Sequence, residues 1–227
     1  YGGINLEDIS APRCFEIEQR LRDLLDIPVF HDDQHGTAIV VLAALRNALK
    51  LVKKDISKTK IVMSGAGAAG TAVARLLVLS GATNIIAFDK DGVISKDSPA
   101  EDAMRAWFIE NSNQMNFKGN IHEAMKGADS FIGVSAPGVL TEADMKAMNP
   151  GAIVFALANP IPEIMPDDAK AAGDLGDDRP LQVAERDAVQ ARVGEPAAEQ
   201  LDQLARFLLT GTTLIWRAVE MDEFHDA

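Results

Sequence analysis

Cysteine is almost absent from this chain of 227 residues: Cys14 stands alone, so no internal disulfide can form and nothing calls for an oxidising compartment. Basic residues are scarce, 22 Lys and Arg against 34 Asp and Glu. The resulting net charge of −12 argues against a nucleic-acid backbone or an anionic membrane surface as partner. No uninterrupted apolar run reaches the ~18 residues that span a bilayer. Aromatic residues make up only 5%, yet the hydrophobic fraction of 47% and the charged fraction of 25% are those of a globule that buries a core, which excludes disorder as the main state. An initiator Met and a basic leader are also missing. The chain opens Tyr1-Gly2-Gly3-Ile4, so the expectation is the remainder of a longer protein, without a signal peptide and in a cytoplasmic setting.

What is present alternates between strand and helix patterns. Ser10 to Leu25 reads as a helix, with Ser10 as N-cap, Pro12 in the first turn and Phe15, Ile17, Leu21, Leu24 and Leu25 as its apolar stripe. Ile27-Pro28-Val29-Phe30 is a short strand candidate leading into the polar turn His31-Asp32-Asp33-Gln34-His35-Gly36, and Thr37 to about Lys53 reads as a buried helix. Strands are then expected at Lys60–Ser64, Asn84–Asp89, Ser130–Val134 and Ala152–Leu157, with a helix from Gly67 to Leu79. Their unbroken apolar character fits strands covered on both faces, which predicts an α/β fold with a doubly wound parallel sheet, Rossmann-like, flanked by helices. The composition shifts near residue 174: every lysine lies at or before Lys170, and the remainder is acidic with one amphipathic helix pattern at about 196–221 and no comparable strand signal. Three regions follow: 1–36, 37–173 as the dinucleotide-binding domain, and a divergent helical segment 174–227.

Gly65-Ala66-Gly67-Ala68-Ala69-Gly70 matches G-x-G-x-x-G, directly after an apolar strand and before an apolar helix. Gly65 permits the tight turn, Gly67 lets the backbone approach a pyrophosphate, and Gly70 lets the helix pack on the sheet. Ala68 and Ala69 open the helix, whose first amides face the phosphates. Asp89 ends the next strand near the ~20-residue offset of an acid that binds ribose hydroxyls. With Asp91 it would repel a 2′-phosphate, so NAD is expected over NADP, although Lys90 between them offsets part of that repulsion. Ser135-Ala136-Pro137-Gly138 follows a later strand, where a loop faces the cofactor in such a sheet.

Four acids cluster in sequence near the start: Glu7-Asp8 and Asp32-Asp33. Hard cations such as Mg²⁺ and Mn²⁺ take carboxylate oxygens, whereas any one of these acids alone is better explained by capping or solvation. His31 and His35 lack a Cys partner and a helical frame across Gly36, which favours turn and hydrogen-bonding roles over zinc.

Asn5-Leu6-Glu7-Asp8-Ile9, then Phe30-His31-Asp32-Asp33-Gln34-His35-Gly36-Thr37-Ala38, then the glycine loop, then Leu157-Ala158-Asn159-Pro160, together resemble malic enzymes of the bacterial type. The resemblance covers about residues 1–173. It implies that Glu7, Asp8 and Asp33 are metal ligands, that Asp32 partners a catalytic lysine, and that Asn159 contacts substrate beside the nicotinamide. It further implies oxidative decarboxylation of malate to pyruvate, with NAD (NADP second), Mg²⁺ or Mn²⁺, and a homo-oligomeric parent. The family's base lysine, acid tyrosine and substrate-binding arginine belong to a preceding domain, and Tyr1, beside the acid pair, is not that tyrosine. After Ala172 the family's Gly-Arg-Ser-Asp segment and asparagine-rich loop are replaced by Gly173-Asp174-Leu175-Gly176-Asp177. The alternative is a dinucleotide-binding module without catalysis of its own.

Overall fold

The computed structural model describes residues 1–173 and 182–185. It begins with a small parallel pair, β1 (Ile4–Leu6) and β2 (Val29–His31), in register Ile4↔Val29, Asn5↔Phe30 and Leu6↔His31. Helix α1 (Arg13–Leu24) connects them. It starts later than the sequence suggests: the Ala11-Pro12 turn comes first, Pro12 holds the N-cap position, and the Ser10 carbonyl rather than its hydroxyl accepts, from the Cys14 amide at 3.2 Å. The polar segment Asp32–Gly36 is helical where a plain turn was expected. It forms a π-helical turn in which the Thr37 amide reaches back to the Asp32 carbonyl, and α2 (Thr37–Val52) continues directly from it.

Beyond a 3-10 turn come β3 (Lys60–Ser64), α3 (Ala68–Leu79), β4 (Asn84–Asp89), the two-residue β5 (Gly92–Val93), α4 (Ala103–Asn111) and α5 (Ile121–Met125). They are followed by β6 (Ser130–Gly133), α6 (Glu142–Ala147), β7 (Ile153–Ala156), α7 (Pro166–Gly173) and β8 (Gln182–Glu185). The sheet order is β5-β4-β3-β6-β7-β8, parallel throughout except for the antiparallel edge β5. The parallel strands therefore run second, first, third, fourth, fifth, the doubly wound order in which ligands bind beyond the carboxyl ends of the first and third. Here those strands are β3 and β6.

All four residues of β6 and of β7 are buried, as two covered faces require. Val62, Phe88, Phe131 and Val154 from the sheet meet Met125 and Met145 from α5 and α6 in one core. On the other side, α2 packs on α3 and β7 through Ala38, Val41, Leu42, Leu45 and Leu49, a stripe with helical spacing. By length and composition the helical stretch Asp32–Val52 is long and apolar enough to cross a membrane; in this structure that stripe faces the sheet domain. β8 was not foreseen: the sheet takes its last strand from beyond residue 173, in a segment whose pattern showed no strand signal comparable to the earlier ones. The helix expected over 196–221 lies outside the described residues.

Candidate functional site

The register of the small sheet places the acids. Leu6 pairs with His31 in parallel, so the residues that follow, Glu7-Asp8 and Asp32-Asp33, leave the same end of adjacent strands. Asp8 adopts the left-handed conformation (φ 56°), which aspartate tolerates better than most residues. Its backbone N–H donates to Asp33 Oδ2 at 2.8 Å. Asp32 is exposed and lies over Gly36, where an added Cβ would sit 2.3 Å from its Oδ1, so a side chain there would displace the carboxylate.

The rest of the motif builds the turn. Glu18 of α1, a buried carboxylate that the sequence reading did not single out, accepts from Gln34 Nε2 at 3.1 Å and pairs with His35 Nε2 at 2.7 Å. His35 thus ties the turn to α1, the hydrogen-bonding role expected of it. The helical frame across Gly36 does exist, but it carries His35 to Glu18 and leaves His31 buried behind Asp33, its Nδ1 4.0 Å from Asp33 Oδ2. Among the described residues neither ring nitrogen of His31 has a hydrogen-bond partner.

The π-helical turn packs on α3, and this contact brings the acids to the glycine loop. Gly65 has φ +105°, donates its amide to the Phe88 carbonyl at 2.9 Å, and leaves no space for a Cβ, which would approach Val134 O to 2.6 Å. At Gly70 a Cβ would come within 1.9 Å of Gly65 O. Those two glycines are required by packing. Gly67 is different: a Cβ there would meet nothing within 4 Å, so packing does not require glycine at this position and the space above it is open. Thr71 closes the loop, its amide and hydroxyl both donating to Gly67 O at 2.8 Å. No side chain caps α3 and no acid occupies its first turn, which leaves its amides for an anion. The residues present fit a dinucleotide pyrophosphate.

A cleft of about 440 Å³ joins the two features, lined by Asp8, Asp33, Gly67, Ala68, Ala69, Gly70 and Val134 among others. It lies at the β3–β6 switch point. Two of the three expected metal ligands face it. Glu7 is exposed outside its lining, and among the described residues no three His, Cys, Asp or Glu side chains form a preformed metal cluster. The hard oxygens of Asp8 and Asp33 suit Mg²⁺ or Mn²⁺.

Asp89 ends β4 beside the loop, as expected, but with a partner the sequence did not reveal. Arg105 of α4 pairs through Nη1 with Asp89 Oδ2 and lies 3.6 Å from Asp91 Oδ2, while Asp89 Oδ1 accepts the Asp91 amide at 2.9 Å. At the ends of β6 and β7 the organising group is Glu163, which is fully buried. Its Oε1 accepts from the Ser135 amide (2.8 Å) and hydroxyl (3.1 Å), and its Oε2 from the Ala158 amide (3.1 Å). Ser64 and Ser135 share a hydroxyl contact at 2.8 Å, so Ser135 is fixed between β3 and Glu163. Asn159 is exposed just beyond β7. Neither Ser135 nor Asn159 lines the cleft, although the loops carrying them are tied together through Glu163. Nothing in a single sequence pairs Arg105 with an acid sixteen residues away, or Glu163 with two separate loops.

A glycine loop at the switch point of a doubly wound sheet defines a dinucleotide-binding α/β domain. Residues 34–174 match the family described as malic enzyme, NAD binding domain, and the chain belongs to that family. It is 55% identical over 167 residues to the NAD-dependent malic enzyme of Geobacillus stearothermophilus, covering 74% of this chain and 35% of that protein. It is 48% identical over 174 residues to the NADP-dependent malic enzyme of Salmonella typhimurium, covering 75% of this chain and 22% of that one. The solved NAD-dependent malic enzyme of Thermotoga maritima superposes with a TM-score of 0.75 at 42% identity, over 82% of this chain and 48% of that chain. The chain thus spans about a third or less of the length of those two relatives.

Proposed function

We propose that this chain serves the oxidative decarboxylation of malate to pyruvate and carbon dioxide, with hydride passed to a nicotinamide dinucleotide and a divalent metal bound beside it. The observation that carries the proposal is the single cleft in which Asp8 and Asp33 face the glycine loop. The names of the relatives supply the substrate, and both NAD- and NADP-dependent proteins are among them. Gly67 and the first amides of α3 receive the pyrophosphate, Asp89 accepts from ribose hydroxyls, and the loops that carry Ser135 and Asn159, outside the cleft lining but tied together through Glu163, take the nicotinamide end. Asp8 and Asp33, joined by Glu7, hold Mg²⁺ or Mn²⁺, which when bound supplies Lewis-acid polarisation of the keto oxygen. Asp32 orients the proton-transfer lysine implied by the resemblance. NAD is favoured, by a margin that Arg105 reduces through its pairing with Asp89.

No described residue corresponds to the family's lysine base or tyrosine acid, and each such role is worth ~10²–10⁴ in rate. We therefore propose that the 227-residue chain alone binds dinucleotide without turning over malate. A second reading, a binding module without catalysis, draws on one observation: the three acids do not converge. Fluorescence titration with NADH, together with a steady-state assay of the chain with malate, NAD and Mn²⁺, tests both. Absence of NADH binding would overturn the cofactor site, and turnover at the ~1–10³ s⁻¹ usual for enzymes would show that base and acid reside here.

A further inference from the structure

At the carboxyl ends of β6 and β7 a negative charge is buried among neutral donors. Glu163 is fully buried, and its three side-chain partners are the Ser135 amide (2.8 Å) and hydroxyl (3.1 Å) on Oε1 and the Ala158 amide (3.1 Å) on Oε2. Both oxygens accept and neither donates, the arrangement of an ionised carboxylate. The surrounding chain fixes its position. Gly133, the last residue of β6, leaves room for it, since an added Cβ would run into the carboxylate. The two loops are also joined through their backbones: the Gly138 amide donates to Pro162 O at 3.3 Å and the Leu140 amide to Glu163 O at 3.0 Å. Accepting from both loops takes two oxygens, and a carboxylate supplies them only by burying a charge. In such surroundings that charge acts well beyond hydrogen-bond range.

We propose that Glu163 biases the site toward the oxidised dinucleotide, its buried charge stabilising the cationic ring of NAD⁺ and leaving the neutral ring of NADH unaided. The proposal rests on the cofactor site proposed above, in which these two loops take the nicotinamide end. The ring carries one positive charge when oxidised and none once it has accepted hydride. A fixed anion near it therefore strengthens the hold on the reactant form, and that attraction vanishes on reduction, which favours release of the product form. Glu163 touches no reacting atom. It is a positioning residue that acts through the loops it joins and through its field.

The test uses the 227-residue chain as wild type, Glu163→Gln and Glu163→Asp, each checked for cooperative thermal unfolding. NADH is titrated by fluorescence; NAD⁺ and ADP-ribose, which lacks the nicotinamide, are titrated by competition against it. Glu163→Gln should lower the ratio of NAD⁺ to NADH affinity about threefold to tenfold, the size expected of one charge acting across a partly screened interior, with ADP-ribose affinity unchanged. Glu163→Asp keeps the charge on a shorter stem and should keep the wild-type ratio even where both affinities fall. A measurement on wild type alone serves if the variants do not fold: NAD⁺ should bind more tightly than the dinucleotide that carries a neutral benzamide ring in place of nicotinamide. Equal weakening of NAD⁺ and NADH in Glu163→Gln would overturn the proposal, as would an equal fall of the ratio in Glu163→Asp or equal wild-type affinity for NAD⁺ and the benzamide dinucleotide. Those results leave the cofactor site standing. Failure of wild type to bind NADH or ADP-ribose would overturn the site itself, and the proposal with it.

Discussion

Replacing Glu163 with alanine should cost more than any other single change at the carboxyl ends of the strands. The carboxylate is fully buried and sits on Gly133, where an added Cβ would be 2.3 Å from its Cδ. Alanine leaves the Ser135 and Ala158 amides without their acceptor; the Ser135 hydroxyl can turn to Ser64. A buried amide left unmade costs about 1–3 kcal/mol. Ser135 is near enough to solvent for water to enter, so two amides amount to about 2–4 kcal/mol. That is a large part of a typical stability of ~5–15 kcal/mol and corresponds to a Tm drop of roughly 5–15 °C for a chain of this size. Glutamine separates acceptance from mere filling of space. It keeps one oxygen but turns an NH₂ toward one of the two amides, and should cost about 1–2 kcal/mol. Gly133→Ala, which pushes the carboxylate away, should be strongly non-additive with Glu163→Gln because both act on the same bonds. Urea denaturation of wild type, the three single variants and the Gly133→Ala/Glu163→Gln double variant gives these values. An alanine variant within about 0.5 kcal/mol of wild type, the range of neutral surface changes, would refute the reasoning.

Gly67→Ala should unfold with wild-type Tm yet bind NADH more weakly, whereas Gly70→Ala should lose stability outright, since its Cβ would lie 1.9 Å from Gly65 O; thermal unfolding beside fluorescence titration separates them, and matching losses of stability would contradict the open space at Gly67. Burial pushes the Asp129 carboxyl up, but Lys54 Nζ at 2.8 Å, the Lys60 amide at 2.9 Å and Asn149 Nδ2 at 3.0 Å outweigh it and hold it below the usual carboxylate range. The folded value is the depressed one, so this stabilisation is complete above the unfolded value of ~3.9 and is lost as pH falls through the folded value. Asp129→Asn should therefore flatten the acid limb of stability against pH, and superimposable limbs would count against it. Asp33→Asn should weaken Mn²⁺ binding measured by calorimetry, one anionic oxygen being lost; unchanged affinity would remove Asp33 from the metal site.

What could be read from the sequence was what is local. Lys60–Ser64 and Asn84–Asp89 match β3 and β4 residue for residue because an unbroken apolar run between polar ends is a property of the run itself. The glycine loop was readable for the same reason: its three glycines, its strand and its helix are contiguous. β1 and β8 were not, since three or four residues become a strand only through a distant partner, β2 for one and β7 for the other. α1 began late because the Ala11-Pro12 turn intervened before any cap on Ser10 could act.

The same division runs through the site. Each acid or glycine was visible where it stood, but its electrostatic meaning depended on groups that only folding supplies. Asp89 read as a bare anion until Arg105 was seen against it, and the two loops beyond β6 and β7 read as separate turns until Glu163 was seen accepting from both. The acids near the start show the converse. Two pairs widely separated in sequence gain a common position from one short parallel register, Leu6 beside His31, and from one hydrogen bond, Asp8 to Asp33. A three-residue strand with no readable signal is therefore what delivers the carboxylates to the glycine loop. Disturbing β1 should uncouple the carboxylates from the loop while leaving the sheet that holds the dinucleotide unaltered, because β1 and β2 share no strand pairing with β3 to β8.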